Sequence, residues 1–331
     1  DKLKDYFRFL KDIGTDAAIV SDPGVIYVAK ESAPELPLHL STQANTVNKY
    51  AVRFWKEQGI SRIILARELS VSEISEIRDF VPDIQLEAFV HGAMCISYSG
   101  RCLLSDYLDG RSSNRGACVQ SCRWKYEIRA LNPSDGETGW LHVEEDEKGT
   151  YILNSKDLNM LSRLSELERA GVNSFKIEGR MKSEYYLATV INAYRRALDS
   201  GASREIEQEL CNVAHRDYTQ AYASGKNSFT VGYTDSQTKG DYTYIANVID
   251  SENGFVTAEM RNRFRAGDVL EVLSPDGNFK KTFVAENIFD SSGQKTDDAK
   301  LVREFYRIEC PFALKKGDLL RRKNSAEESK K

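Results

Sequence analysis

The sequence predicts an α/β protein: a TIM-like (β/α) barrel, incomplete at its N-terminus, followed by a small all-β C-terminal barrel domain. Three observations predict it. Short apolar runs alternate with helical patterns over the first two hundred residues, the signature of parallel strands joined by right-handed crossovers. The chain opens on a charged helical pattern, Asp1-Lys-Leu-Lys-Asp-Tyr-Phe7, with no strand before it, and six strands follow, where a closed barrel needs eight. After about residue 235 long helices stop and strand patterns succeed one another. The expected boundaries are 1–235 for the barrel, with a cysteine-rich insertion at 91–150, and 236–331 for the β-barrel domain.

Each element has a local reason. Ala17-Ala-Ile-Val20 reads as a buried strand stopped by the breaker Ser21-Asp-Pro-Gly24. Residues 36–42 form a second strand with Pro37 near its start, where a strand tolerates it. Asn45 caps a helix reaching Gln58, with Val47, Tyr50, Ala51, Phe54 and Trp55 on one face, and Gly59 stops it. Residues 60–66 are a third strand. Residues 70–80 are a helix in which Ser70 and Glu73 have capping-box spacing. A fourth strand, 84–90, runs into His91-Gly-Ala-Met-Cys95. Beyond the cysteines come a strand at 151–154, a helix at 158–170, a strand at 173–177 and a helix at 183–199. In the second domain residues 242–249, 255–260, 268–273 and 281–288 read as strands. Gly254, Gly267, Pro275-Asp-Gly277 and Gly293 supply the turns.

Composition narrows the class. With 41% hydrophobic and 29% charged residues the 331-residue chain has the balance of a globular protein. A net charge of −4 gives no global basic field to recruit nucleic acid. No apolar run is long enough to span a bilayer and no secretory leader opens the chain, so the expectation is a cytoplasmic protein without a membrane partner. An incomplete barrel leaves open its completion by a paralogous subunit or a second copy of the chain.

Four of the six cysteines, Cys95, Cys102, Cys118 and Cys122, fall within 28 residues as C-x6-C-x15-C-x3-C. Arg101, Arg111, Arg115, Arg123 and Lys125 share the stretch. Thiolates are ligands for soft metals and iron–sulfur clusters. Structural zinc prefers short paired knuckles, and only Cys118 and Cys122 approach one. The spacing therefore leaves three chemistries open: an iron–sulfur cluster, zinc, or unliganded thiols. Cys211 and Cys310 read as buried free cysteines.

Four stretches carry a resemblance: residues 87–105 around Cys95 and Cys102, Asn114-Arg-Gly-Ala-Cys-Val-Gln-Ser-Cys-Arg-Trp124, Glu144-Glu-Asp-Glu-Lys-Gly149 and Phe175-Lys-Ile-Glu-Gly-Arg-Met-Lys182. They resemble peptidase family U32, the collagenase-like proteases. Within it they are most similar to the bacterial proteins that hydroxylate tRNA at the wobble uridine. The resemblance spans nearly the whole chain. It implies a TIM-like barrel followed by a C-terminal β-barrel, a 4Fe–4S cluster with Cys95, Cys102, Cys118 and Cys122 as ligands, prephenate as a co-substrate and tRNA as a partner.

In a barrel, function collects at the C-terminal ends of strands. His39, Thr42, Gln43, Arg67, Glu68, Glu87, His91, Lys176, Glu178 and Arg180 lie there. Such residues also cap helices or satisfy loop backbone. Catalytic candidates are His39, Glu87, His91, Lys176, Glu178 and Arg180. Alternation places Lys176 and Glu178 on one strand face, and Arg180 suits a carboxylate or phosphate. His142 and His215 look peripheral. No Walker loop, dinucleotide fingerprint, H-E-x-x-H or G-x-S-x-G is present. Three functions follow: tRNA wobble-uridine 5-hydroxylation by a cluster-bearing barrel, a U32-type peptidase acting on unfolded or collagen-like chains, and a non-catalytic RNA-binding barrel with a structural cluster. For RNA contact, Arg261-Asn-Arg-Phe-Arg265 adds basic residues in the second domain.

Overall fold

The computed structural model describes residues 2–95, 97–112, 117–123, 129–131, 138–140, 145–146, 149–150, 155–180, 182–225 and 240–325. Two compact units result. The first comprises residues 1–178 and 216–237, the second 179–215 and 238–331.

The first unit is a mixed α/β sheet, barrel-like in part. It begins α1 (Lys2–Asp12), β1 (Ala18–Val20), α2 (Pro23–Ser32), β2 (Leu38–Leu40), α3 (Lys49–Glu57), β3 (Arg62–Ile64), α4 (Val71–Phe80) and β4 (Gln85–Ala93). Strands β1 to β4 pair in sequence order and in parallel. α5 (Leu104–Asp109) follows in the cysteine segment. Then come two isolated hairpins, β5 (Arg129–Leu131) with β6 (Thr138–Trp140) and β7 (Glu145–Asp146) with β8 (Gly149–Thr150). β9 (Asp157–Asn159), α6 (Leu164–Arg169) and β10 (Ser174–Ile177) lead to α7 (Glu184–Ser200) and α8 (Arg204–Glu209) of the second unit. β11 (Tyr218–Thr219) then returns to the first.

Four differences from the sequence expectation have local causes. Ser21-Asp-Pro-Gly24 ends β1 at Val20 as expected, and Asp22-Pro23 also starts an unforeseen helix. The Asp22 carboxylate accepts from Val25 N at 2.9 Å, and Pro23 occupies the first turn, where its missing N–H costs nothing. α3 starts three residues late because Asn48 is its cap, whereas Asn45 closes a short 3-10 turn in a left-handed conformation. Tyr50 and Phe54, expected on the inner face, are exposed, and Val52 is buried instead. The expected helix at 158–170 opens as strand β9, which runs antiparallel to the end of β4, so the sheet is mixed and not wholly parallel. The expected strand at 151–154 lies outside the described residues. The capping box at α4 forms as read, with Ser70 and Glu73 bonding reciprocally.

Alternation gives β1 to β4 two different faces. Leu38, Leu40, Ile63, Leu86, Ala88 and Val90 are buried on one. His39, Arg62 and Gln85, in register across β2, β3 and β4, occupy the other together with Glu87, which pairs with Ile64. On that second face Ile19 of β1, paired with His39, is 58% exposed, so this side is open where the barrel does not close.

The second unit is a curled antiparallel half-barrel. Its strands are β12 (Tyr242–Glu252), β13 (Phe255–Met260), β14 (Phe264–Arg265), β15 (Val269–Leu273), β16 (Thr282–Val284), β17 (Ile288–Phe289), β18 (Lys295–Thr296), β19 (Asp298–Ala299), β20 (Phe305–Glu309) and β21 (Leu319–Lys323). Eight of them form one sheet, ordered β16-β15-β21-β12-β13-β20-β17-β18. Irregular register in β12, near residues 245 and 249, bends the sheet. Its interior is sealed by Ile245, Val248, Val256, Met260, Leu270, Ile308 and Leu320. Arg321, next to Leu320 and therefore on the opposite face of the sheet, is also fully buried. Its guanidinium donates to Glu271 at 2.5 and 2.9 Å and to Glu209 of α8 at 2.9 Å.

Candidate functional site

The open face of the first unit carries a linked set of charges. Glu87 is 7% exposed, yet it is not alone. Its carboxylate accepts from Lys176 Nζ at 2.9 Å, from Ser174 Oγ at 2.9 Å and from Arg62 Nη1 at 3.4 Å. Arg62 also donates twice to the Gln85 side-chain oxygen, at 2.6 and 2.9 Å. β10 pairs Ser174 with Glu87 and Lys176 with Phe89, which is why the ammonium lands beside the carboxylate. Phe89 has the Arg67 guanidinium 3.8 Å from its ring centre and the Lys176 ammonium 5.7 Å away.

These neighbours set protonation. Burial alone would raise the Glu87 carboxyl, but Lys176, Ser174 and Arg62 outweigh it and hold the group below the usual glutamate range. Burial, then the positive charges of Arg62 and Lys176, push the His39 imidazole below its usual value, with Glu87 pulling the other way. His39 is therefore a neutral imidazole at neutral pH, able to accept a proton beside two cations.

The mouth above this face is braced by the start of the cysteine segment. Ser99 donates from its backbone N and its hydroxyl to the Glu68 carboxylate, at 2.8 and 2.9 Å. Gly100 abuts the Gln43 carbonyl so closely that a Cβ would come within 2.1 Å of it. Across the sheet, Glu178 N donates to His91 O at 2.9 Å. Gly92, at φ +106, faces the Glu178 carbonyl, and a Cβ there would sit 2.2 Å away.

Of the predicted site residues, the fold joins His39, Glu87 and Lys176. A β-bulge between Lys176 and Ile177 breaks the alternation expected to align Lys176 with Glu178. His91 is wholly buried, its ring 5.4 Å from that of Tyr218, where β4 passes from β10 to β9. Arg180 is exposed and belongs to the second unit. Arg62, Phe89 and Ser174 escaped the sequence reading. Their signal was the alternation of Gln85, Glu87 and Phe89 against Leu86, Ala88 and Val90, which marks a polar strand face.

The cysteines require a correction. Cys95 is exposed, Cys102 buried, and Cys118 and Cys122 half-buried, and none of the four is in a disulfide. Among the described residues, which include these four, no group of three or more His, Cys, Asp or Glu could hold a metal ion. The expected 4Fe–4S cluster, and zinc as its alternative, therefore do not fit the donor set. Cys102 and Cys122 lie near enough to affect Cys95. Although the residue keeps an exposed surface, the protein packed around its sulfur, first, and then these thiols push Cys95 up to about 11, against the pull of the Ser97 backbone and Arg67. The segment is organised by oxygen instead. Ser105 Oγ donates to Arg111 O at 2.6 Å and accepts from Val119 N at 3.1 Å.

Comparison with known proteins places this arrangement. The model of peptidase family U32 matches residues 1–231, and that of the peptidase family U32 C-terminal domain matches residues 240–321. The chain belongs to peptidase family U32. This U32 protein is 37% identical to tRNA hydroxylation protein P of Escherichia coli K12, over 88% of this chain and 75% of that one. It is 39% identical to an uncharacterized protease of Methanocaldococcus jannaschii, over 93% of this chain and 76% of that one. A solved U32 C-terminal domain from Geobacillus thermoleovorans is 26% identical over 24% of this chain and 99% of its own, with a TM-score of 0.23. Among the described residues no helix is long and apolar enough to cross a membrane.

Proposed function

We propose that this U32 protein takes part in 5-hydroxylation of the wobble uridine of tRNA, with the open face of the first unit's sheet as its working surface. The observation that carries the reading is the Glu87 carboxylate, buried and shared by Lys176, Arg62 and Ser174, beside the neutral His39 imidazole. A closed barrel fills this face with branched aliphatic side chains. Here two cations offer charge to an anionic group, and a neutral imidazole offers a lone pair for a proton. Similarity to the Escherichia coli tRNA hydroxylation protein supports the direction.

The peptidase reading draws on the similarity to the Methanocaldococcus protein. It needs an activated nucleophile, and a Cys95 thiol pushed up to about 11 is a poor one at neutral pH. The test is the nucleoside content of tRNA, measured by mass spectrometry, in a strain lacking the gene. The 5-hydroxyuridine-type nucleosides are lost, are restored by the wild-type chain, and fall at least about tenfold with Lys176→Met or Glu87→Gln. Variants that still bind tRNA but do not modify it separate an enzyme from a binding module. Unchanged nucleosides in the deletion strain end the reading.

A further inference from the structure

The second unit holds an open groove of about 500 Å³ between α7 and the turn that follows β15. That lies in the size range of small-molecule sites. Much of its lining is apolar. Leu273 and Leu319 are buried side chains at its base, Ala188 lines it with them, and Ile191 is left 53% exposed.

Arg196 gives the groove its charge, and three contacts fix it. Its Nε donates to Asn192 Oδ1 at 2.5 Å, its Nη2 donates to Ser274 O at 3.3 Å, and its guanidinium lies 3.8 Å from the centre of the Phe279 ring. Asn192 Nδ2 donates to the same Ser274 carbonyl at 2.8 Å. Among the described residues no carboxylate meets this half-buried guanidinium, and its Nη1 donates to nothing. The carboxylates nearby are engaged elsewhere. Asp199 accepts from Arg195 at 2.5 and 3.0 Å, and Asp276 accepts from Lys315 at 2.5 Å and from Ser274 Oγ at 2.8 Å. A cation taken partly out of water without an anion is costly. A guanidinium held in place suits a carboxylate or a phosphate. Lys315 and the exposed Lys316 immediately precede Gly317, which also lines the groove.

An apolar floor beside a fixed cation matches a ligand that joins a flat ring to an anion. A nucleotide is such a ligand, and several cations along one groove suit successive phosphates better than a lone carboxylate. The groove has little with which to read a base. The Asn192 amide uses both ends on Arg196 and Ser274, and Ser200 Oγ donates to Arg196 O at 2.8 Å. We propose that this groove takes one unstacked nucleotide of a single-stranded RNA segment, with its base on Ile191, Leu273 and Leu319 and a phosphate on Arg196, whatever the base. This rests on the reading of the protein as one that acts on tRNA, and adds an RNA contact in the second unit.

The test uses the full chain and two labelled single strands of about 12 nucleotides, one of uridine and one of adenosine. Fluorescence anisotropy gives each affinity over a range of salt. Arg196→Met weakens binding about tenfold on both strands and lowers the salt slope by about one. Ile191→Glu, at an exposed position, weakens it by a similar factor and melts like wild type. Ile191→Lys binds at least as tightly as wild type. Variants that all bind like wild type overturn the proposal. Losses that differ more than about threefold between the strands overturn it as well, since the base would then be read. So does displacement of a strand by an equal concentration of adenosine monophosphate, which would make a free nucleotide the occupant. An Arg196→Met chain that binds weakly and melts lower, beside an Ile191→Glu chain that binds normally, also overturns it, because Arg196 would then only hold the Ser274 turn. Wild-type chain that binds neither strand overturns the groove as an RNA site and leaves hydroxylation to be judged on tRNA nucleosides.

Discussion

The two sheets of this chain each finish one face in an opposite way. In the second unit, Ile245, Val248, Val256, Met260 and Ile308 are 0–1% exposed and close an apolar core. In the first, the corresponding surface presents His39, Arg62, Glu87 and Lys176. Apolar burial stabilises at roughly 25 cal/mol per Å², whereas partly exposed ion pairs contribute about 0–1 kcal/mol. The half-barrel thus uses its interior for stability. The α/β sheet draws its stability from the other face, through Leu40, Ile63 and Leu86, and leaves this one polar.

That contrast can be broken by substitution. The largest effect is expected in the half-barrel. Phe264 is 1% exposed, with its ring 6.0 Å from that of Tyr306, and Phe264→Ala should cost about 3–5 kcal/mol in urea unfolding. A loss below about 1 kcal/mol would mean that this core is not packed as described.

On the open face of the α/β sheet, Glu87→Gln should cost only about 1 kcal/mol, because Lys176 and Arg62 remain about a third exposed and can turn to water. Its signature is pH dependence. The folded-state pKa of Glu87 is lowered, so its contribution is present above the ordinary carboxylate range and is lost as pH falls through the lowered value. The stability curves of wild type and variant should therefore converge in acid. Parallel curves would show that the carboxylate is not coupled to its cations. The smallest effect is on His39. NMR titration should place its imidazole below the usual histidine value and move it lower still in Glu87→Gln, since Glu87 is the neighbour that raises it. A shift upward would place Glu87 out of reach of the ring.

Much of this contrast was legible in the chain, and the misses are instructive. The capping box at Ser70 and Glu73, the strands at β3, β4 and β10, and the change to an all-β texture depend on residues close in sequence. Ser21-Asp-Pro-Gly24 ended β1 as read, but the helix it also starts was not foreseen, because the same residues break strands and start helices and only the chain after them decides. Arg62 was missed because a lone Arg in an apolar run reads as a strand edge until a carboxylate from the next strand stands beside it.

The sequence by itself determined the two-part architecture, the family and the polar alternation of β4, since periodicity and local caps are written in neighbouring residues. Only the tertiary structure decided which side chains meet. Glu87 and Lys176 are 89 residues apart and join through strand register. Cys95, Cys102, Cys118 and Cys122 are close along the chain but do not form a metal-binding group. Proximity in sequence sets which residues are available to one another, and backbone geometry sets whether their atoms converge.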